Sequence, residues 1–287
     1  MMHVSRRVFL AGTGATGLGI GTLPVQEWQP EPPIDVFLVA GQSNAMGRGD
    51  AEISPDVPRG FAYEYTGSDI EPLDDPVGGS FEDTDQAQTG SAWPAFGLGW
   101  FFYGRTCALV PVARKNTAQV DDADSGDGNW DSSGELRYTA SDATNEAVAW
   151  LSEEGYDPTV RGVVWVQGER DAAAIDQGRI SKDDYEEGLA EMIDFYREEI
   201  GVHLPFYINQ TGRREDHDTG GYRDVREAQA EIASSDADSY LATDFAEEFP
   251  DEGLMANQLH YTQKGYDLLG YYSAKAVYES QFRPWLS

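Results

Sequence analysis

The chain has 287 residues, enough for one large α/β domain with a full core and short for two. Apolar residues make up 40% and aromatics 12%, which excludes an intrinsically disordered chain. Acids outnumber bases 51 to 20, a net charge of −31 with no basic footprint, and this argues against nucleic acid and anionic membrane surfaces as partners.

Residues 1–25 read as an export signal. Arg6 and Arg7 precede an apolar, glycine-rich run that fits the twin-arginine pattern and is too short and too rich in glycine for a transmembrane helix. The reading implies export of a folded protein to the cell surface or beyond, with no membrane span left once the signal is removed. Residues 26–33 read as a linker, where Pro30, Pro32 and Pro33 block regular structure. Residues 34–287 read as a single domain.

Within that domain, residues 34–40 predict a fully buried strand. Residues 50–90 are irregular, rich in Gly, Pro and Asp, with a short strand expected at 61–66. A helix is expected over 93–105, opened by Pro94, then a strand over 107–113. Helices are expected over 139–154, 181–200, 221–234 and 262–281, with Ser181 capping the second of these. Strands are expected over 160–167, 205–210 and 240–245. Strands alternating with helices build parallel β-α-β units with right-handed crossovers. The fold class is therefore α/β, a three-layer α/β/α sandwich with a mainly parallel sheet. In such sheets the working groups lie at the carboxyl ends of the strands.

Several features read as structure alone. Cys107 is the only cysteine, so no intrachain disulfide forms, and its apolar setting makes it a core residue. The acids of 121–131 lack the spacing of a calcium loop, so no metal is expected. The sequon 209-NQT-211 could carry a glycan on an exported protein, although Asn209 ends a strand.

The segment 36-VFLVAGQSNAMGRG-49 runs from buried strand into a turn that presents Ser43 between two amides. A serine hydroxyl needs a neighbouring base to become a nucleophile, and histidine is the usual one near neutral pH. The chain offers four: His3 in the export signal, His203 at the wrong sheet edge, His217 in a charged loop, and His260 just before the last helix. Taken alone, Ser43 fits a turn and His260 a helix cap. Their pairing rests on both falling in loops over the same sheet edge.

The blocks 39-VAGQSNAMGRG-49, 165-WVQGERDA-172 and 260-HYTQKGYDLLG-270, with 90-GSAWPAFG-97 between the first two, resemble the sialate O-acetylesterase and acetyl xylan esterase group. This is the carbohydrate-esterase branch of the SGNH hydrolases, and the likeness covers roughly residues 34–280. The composition resembles that of halophilic, haloarchaeal-type proteins, whose acid-rich surfaces stay soluble in high salt. The family resemblance implies an SGNH-type, flavodoxin-like hydrolase fold and a cofactor-free serine esterase acting on acetylated carbohydrate. Ser43 would be the nucleophile and His260 the general base and acid. The oxyanion would be met by the backbone N–H of Ser43, a backbone N–H at Gly90 or Ser91, and the side-chain amide of Gln167. Gln42, Asn44, Arg114 and Asn116 would contact substrate.

The sequence departs from the family's pattern in two places. The family carries an aspartate three residues before the histidine, and here that residue is Asn257. In a serine-protease triad an Asp-to-Asn change costs about 10⁴ in turnover through the wrong tautomer. Glu169 is the first candidate to supply the missing acid, then Asp251 or Glu252; a Ser–His dyad oriented by Asn257 is the third possibility. The second departure is 114-RKN-116, bulkier and more charged than the family's small turn, which hints at a negatively charged substrate. Two rival readings stand beside the carbohydrate esterase: an impaired carbohydrate-binding protein, motivated by Asn257, and an SGNH esterase of lipid or aryl esters, marked by a broad apolar groove.

Overall fold

The computed structural model describes residues 31–79, 81, 84–85 and 89–283. The export-signal reading of 1–25 and most of the proposed linker lie outside the described residues. A seven-stranded sheet forms the centre, in the order β3-β2-β4-β1-β5-β6-β7. Its strands are β1 (Pro33–Gly41), β2 (Ala62–Tyr65), β3 (Ile70–Pro72), β4 (Cys107–Ala113), β5 (Asp157–Val166), β6 (Phe206–Asn209) and β7 (Ser239–Thr243). All pair in parallel except β3, which runs antiparallel to β2 at the edge.

β1 is central because its side chains are apolar on both faces. Val36, Leu38 and Ala40 face one core, while Phe37 and Val39 face the other. Period-two alternation sends successive side chains to opposite sides, so a strand buried twice must be apolar throughout. The first core packs beneath α3 (Leu136–Glu153), α5 (Lys182–Glu199) and α6 (Gly220–Ser235). The second packs beneath α2 (Trp93–Phe102) and α7 (Gln263–Phe282). Three layers result, as the alternation of strands and helices implied.

β4 carries Pro111 in the interior of the sheet, where a missing N–H would ordinarily break a ladder. The Cys107 N–H donates to Phe61 O, so residues 107, 109 and 111 turn their N–H groups towards β2. β2 pairs only as far as Leu109, so at Pro111 there is no partner to lose. Cys107 is fully buried, and burial pushes its thiol far above the ordinary range.

The chain passes from β1 to β4 on one side and returns to β5 on the other. The carboxyl end of β1 is therefore the point where the winding reverses, and the crevice there is where such sheets bind ligands. Short elements absent from the sequence-based expectation sit at this end. They are α1 (Ser43–Met46), a single helical turn, and α4 (Glu169–Asp176). The expected elements form to within three residues at each end, and the edge strand β3 was not foreseen. No helix among the described residues is long and apolar enough to cross a membrane.

Candidate active site

Ser43 opens α1 directly after β1. Gly41 makes the entry possible: its φ is +141°, and a Cβ there would lie 2.0 Å from Val166 O of the neighbouring strand. The Gln42 side chain then fixes the turn to β5's exit, accepting from the Arg170 N–H at 3.3 Å and, at 3.5 Å, from Gly168. Gly168 itself has φ +148° and no room for a Cβ, which would lie 2.2 Å from Thr211 Oγ1. Loops leaving β1 and β5 are thus locked together under Ser43.

His260 comes from the loop between β7 and α7, whose cap is the Thr262 hydroxyl. Its Nε2 lies 2.9 Å from Ser43 Oγ. Its Nδ1 lies 3.1 Å from Asn257 Oδ1, which also accepts the Leu259 and His260 backbone N–H groups, each at 3.0 Å. Two backbone donors on that atom identify it as the amide oxygen and not the nitrogen. The imidazole Nδ1 must then be the protonated one, and Nε2 is left free to accept the serine proton. The tautomer that the neutral Asn257 was expected to jeopardise is held by the loop's own backbone. Burial holds the imidazole below the usual histidine range, and the charge of Arg48 pushes it the same way.

Glu169 does not fill the third place. Its Oε1 accepts from Asn44 Nδ2 at 2.5 Å, while His260 Nδ1 faces Asn257. Burial pushes the Glu169 carboxyl above the usual range, with the Asn44 bond opposing, and its Oε2 finds no partner among the described residues. Asn44 also donates to Leu259 O at 3.2 Å and accepts from Tyr266 OH at 2.8 Å. Asn44 is therefore a buried tie between the serine turn, α4, α7 and the histidine loop, not a substrate contact. Asp251 pairs with Arg213 at 2.8 Å, and both Asp251 and Glu252 are exposed; the imidazole bonds Asn257 and Ser43 instead.

The expected oxyanion donors are partly engaged elsewhere. Ser91 gives its N–H to Asp75 Oδ2 at 2.8 Å and its hydroxyl to Asp75 Oδ1. The Gly90 carbonyl accepts from Gly49, but the Gly90 N–H, the expected donor, has no acceptor among the described residues. The Gln167 amide donates to Thr117 O at 3.2 Å and to Asp171 Oδ2 at 2.5 Å, fully buried. Asp171 holds the 119–120 backbone as well, and burial raises its carboxyl to about 6. The backbone N–H of Ser43 has no acceptor among the described residues, and neither has that of Asn116, which takes a left-handed φ of 59° after β4.

These groups surround a cleft of about 360 Å³. Ser43, His260, Gln42 and Asn116 line it, as expected, together with Glu169 and Leu259. Arg48, Lys115, Arg170, Arg214 and Tyr222 also line it; of these only Lys115, within the 114–116 departure, was marked in the sequence. The available signal was position: Arg48 and Arg170 lie inside the very blocks that carry the motifs. Arg114 does not line the cleft; its guanidinium lies beside Gly128, where a Cβ would be 3.3 Å from Nη1. In the acidic loop, Asp124 Oδ1 accepts the N–H groups of Gly126, Asp127 and Gly128, a turn-forming role. The Asn209 side chain is buried and accepts from Thr243 and Ser273, so the sequon offers no glycan site in the folded chain.

The architecture is that of a hydrolase-type α/β sandwich: a mostly parallel seven-stranded sheet between helices, with its cleft at the reversal of winding. A family model described as carbohydrate esterase, sialic acid-specific acetylesterase matches residues 33–279. The chain belongs to this family and is a carboxylic ester hydrolase. Among solved structures it resembles a protein from Arabidopsis thaliana at 21% identity and TM-score 0.68, over 88% of this chain and 100% of that one. It also resembles NanS at 14% identity and TM-score 0.65, over 87% and 98% of the two chains. A third likeness is to a carbohydrate acetylesterase from Xanthomonas citri, at 20% identity and TM-score 0.50, over 85% of this chain and 56% of that one. No curated protein matches the sequence.

Proposed function

We propose that the chain is a serine esterase that removes O-acetyl groups from carbohydrate through an acetyl-enzyme. The observation that carries this reading is the 2.9 Å approach of His260 Nε2 to Ser43 Oγ, at the reversal point of the sheet. Ser43 Oγ attacks the acetyl carbonyl as its proton passes to Nε2. The oxyanion is met by the backbone N–H groups of Ser43 and Asn116, both without acceptors among the described residues. Collapse expels the sugar hydroxyl, which leaves with the proton from Nε2. A water then gives its proton to Nε2 as it attacks the acetyl-serine, and collapse returns that proton to Ser43 Oγ and releases acetate.

The cleft wall favours a polar substrate over a lipid. Its aliphatic lining is confined to Ala173 and Leu259; Tyr222 adds a phenol ring, and the rest is amide, hydroxyl, imidazole or charge. The impaired-enzyme reading loses its motive, because Asn257 Oδ1 keeps Nδ1 protonated. We take the Arg6–Arg7 segment to place this activity outside the cytoplasm.

The test is release of acetate from an acetylated oligosaccharide and from 4-nitrophenyl acetate, with Ser43→Ala and His260→Ala beside the wild type. Both variants should lose at least ~10³-fold in kcat while remaining folded. Wild-type turnover in Ser43→Ala would end this assignment of the nucleophile.

A further inference from the structure

Four of the chain's twenty bases, Arg213, Arg214, Arg223 and Arg226, fall between positions 213 and 226, in the charged loop after β6 and in α6. The steps carried by Ser43 and His260 use none of them. Three of the four, Arg213, Arg214 and Arg226, bond the loop that carries His260. That loop runs from β7 to α7, and its regular structure is one 3-10 turn, Ala246–Glu248, and a bridge between Met255 and Tyr261. A loop of that length keeps a single geometry when contacts from outside it offset the entropy of ordering it.

Asn44 supplies one such contact, on Leu259 O. Others come from the segment 212–218. Arg213 Nε donates to Glu247 O at 2.8 Å, and its Nη2 pairs with Asp251 at 2.8 Å. The Glu215 N–H donates to Gln258 O at 3.1 Å, and Arg214 Nη2 donates to the Gln258 side chain. Gln258 follows Asn257, whose oxygen holds His260. Gly212 sits against Tyr261, the neighbour of His260 on the other side. A Cβ at Gly212 would lie 2.7 Å from the Tyr261 hydroxyl and 2.9 Å from Ala246 O.

Arg226 fastens this segment. It is 7% exposed, and a charge so buried must have its donors met. Nη1 donates to Gly212 O at 2.9 Å, Nη2 to Asp218 Oδ2 at 2.9 Å, and Nε lies 3.1 Å from Glu247 Oε2. One rigid guanidinium plane thus joins α6, both ends of the segment and the histidine loop itself, which the single ammonium of a lysine could not do.

We propose that Arg226 is a positioning residue for His260: it fixes the 212–218 segment against the histidine loop and so keeps Nε2 within reach of Ser43 Oγ. The proposal rests on the reading of His260 as general base. Arg226 does not line the cleft, so its effect is on the geometry of the reacting groups. A misplacement of about 1 Å there costs as much as ~10²-fold in rate.

The experiment follows hydrolysis of 4-nitrophenyl acetate, per folded molecule, by wild type, Ser43→Ala, Arg226→Ala, Glu247→Ala and Arg197→Ala. Arg197 is the control, a partly buried arginine that bonds Asp236 and Leu204 O and nothing in the histidine loop. Arg226→Ala should lower kcat by about 10- to 100-fold and change KM by less than about threefold. Millimolar guanidinium should restore part of that kcat, saturably, where equal sodium chloride does not. Arg197→Ala should keep the wild-type kcat and gain nothing from guanidinium. Where Arg226→Ala fails to fold, Glu247→Ala decides: that side chain is half exposed, so the fold tolerates its loss, and kcat should fall severalfold. An unchanged kcat in the deciding variant, a loss confined to KM, or a kcat loss in Arg226→Ala that guanidinium leaves untouched overturns the positioning role while leaving a Ser43-dependent esterase intact. Wild-type turnover no faster than that of Ser43→Ala overturns the esterase reading itself, and the positioning role with it.

Discussion

Asn257 gathers three donors on one oxygen, and that crowding decides what its missing charge costs. The Leu259 and His260 backbone groups fix the oxygen, and the oxygen fixes the imidazole tautomer. The large penalty of an Asp-to-Asn change comes from a wrong tautomer, so it does not apply here. What remains is the absence of a negative charge beside the imidazolium. Asn257→Asp should keep the three hydrogen bonds and add that charge. Burial and then Arg48 hold His260 below its ordinary 6.5, so the active neutral form of wild type persists to unusually low pH. The aspartate stabilises the protonated form, so the acid limb should move to higher pH by about one unit. Above the limb, kcat for a neutral ester should rise about tenfold. An unmoved limb with unchanged kcat would mean that the charge at residue 257 does not reach the reaction. The sequence exposed the substitution but not its consequence, because the tautomer depends on loop N–H groups whose direction no motif records.

At the scale of elements, the two ends of β1 do different work. The carboxyl end presents Ser43; the amino end is anchored by Asp35, 3% exposed. Asp35 accepts from Arg105 Nε at 2.6 Å, Arg161 Nε at 2.6 Å and Trp100 Nε1 at 3.0 Å, tying β1 to β5, to α2 and to the approach of β4. Burial alone would raise this carboxyl, but the Arg105 and Arg161 bonds outweigh it and hold it below the usual range. A depressed carboxyl contributes stability above its unfolded value of about 3.8, which is lost as pH falls through the folded one. Asp35→Asn leaves two partly buried guanidinium groups short of charge and should cost about 3 kcal/mol near neutral pH, less in acid. Denaturant midpoints at several pH values measure this. Turnover per folded molecule should stay at the wild-type level, since the cluster lies at the opposite end of the strand from the cleft. A pH-independent loss would show that packing, not charge, is what Asp35 supplies. The long strands and helices were legible because burial on both faces and amphipathic periodicity are written over many residues. β3, α1 and α4 were not. Each is short, and α1 and α4 are made by the turns that leave β1 and β5, where Gly41 and Gly168 bring backbones together. The same limit applied to the site. Ser43 and His260 could be read from their blocks, whereas Ser91 and Gln167 looked available until Asp75 and Asp171 were seen to occupy them.

At the scale of the whole molecule, charge is arranged on two lengths. The net charge of −31 creates a field that repels an acidic substrate from a distance. Inside the cleft, the cationic Arg48 and Arg170 of the lining would attract it at contact. Salt separates the two, because screening acts on the longer range first: the Debye length is about 10 Å at 0.1 M and about 3 Å at 1 M. A carboxylate in hydrogen-bond contact with guanidinium lies within even the shorter distance, whereas the acids of the outer surface do not. Raising salt towards 1 M should therefore increase kcat/KM for 3-acetoxybenzoate relative to its methyl ester, after correction for the folded fraction. The fold should gain stability over the same range as self-repulsion fades. The rise in relative kcat/KM should survive in Arg170→Gln, because the repelling surface is unchanged, but from a lower starting value. A relative kcat/KM that falls steadily from the lowest salt would mean that the cleft's cations govern approach as well as contact, and that the acid-rich surface is electrostatically remote from the site it surrounds.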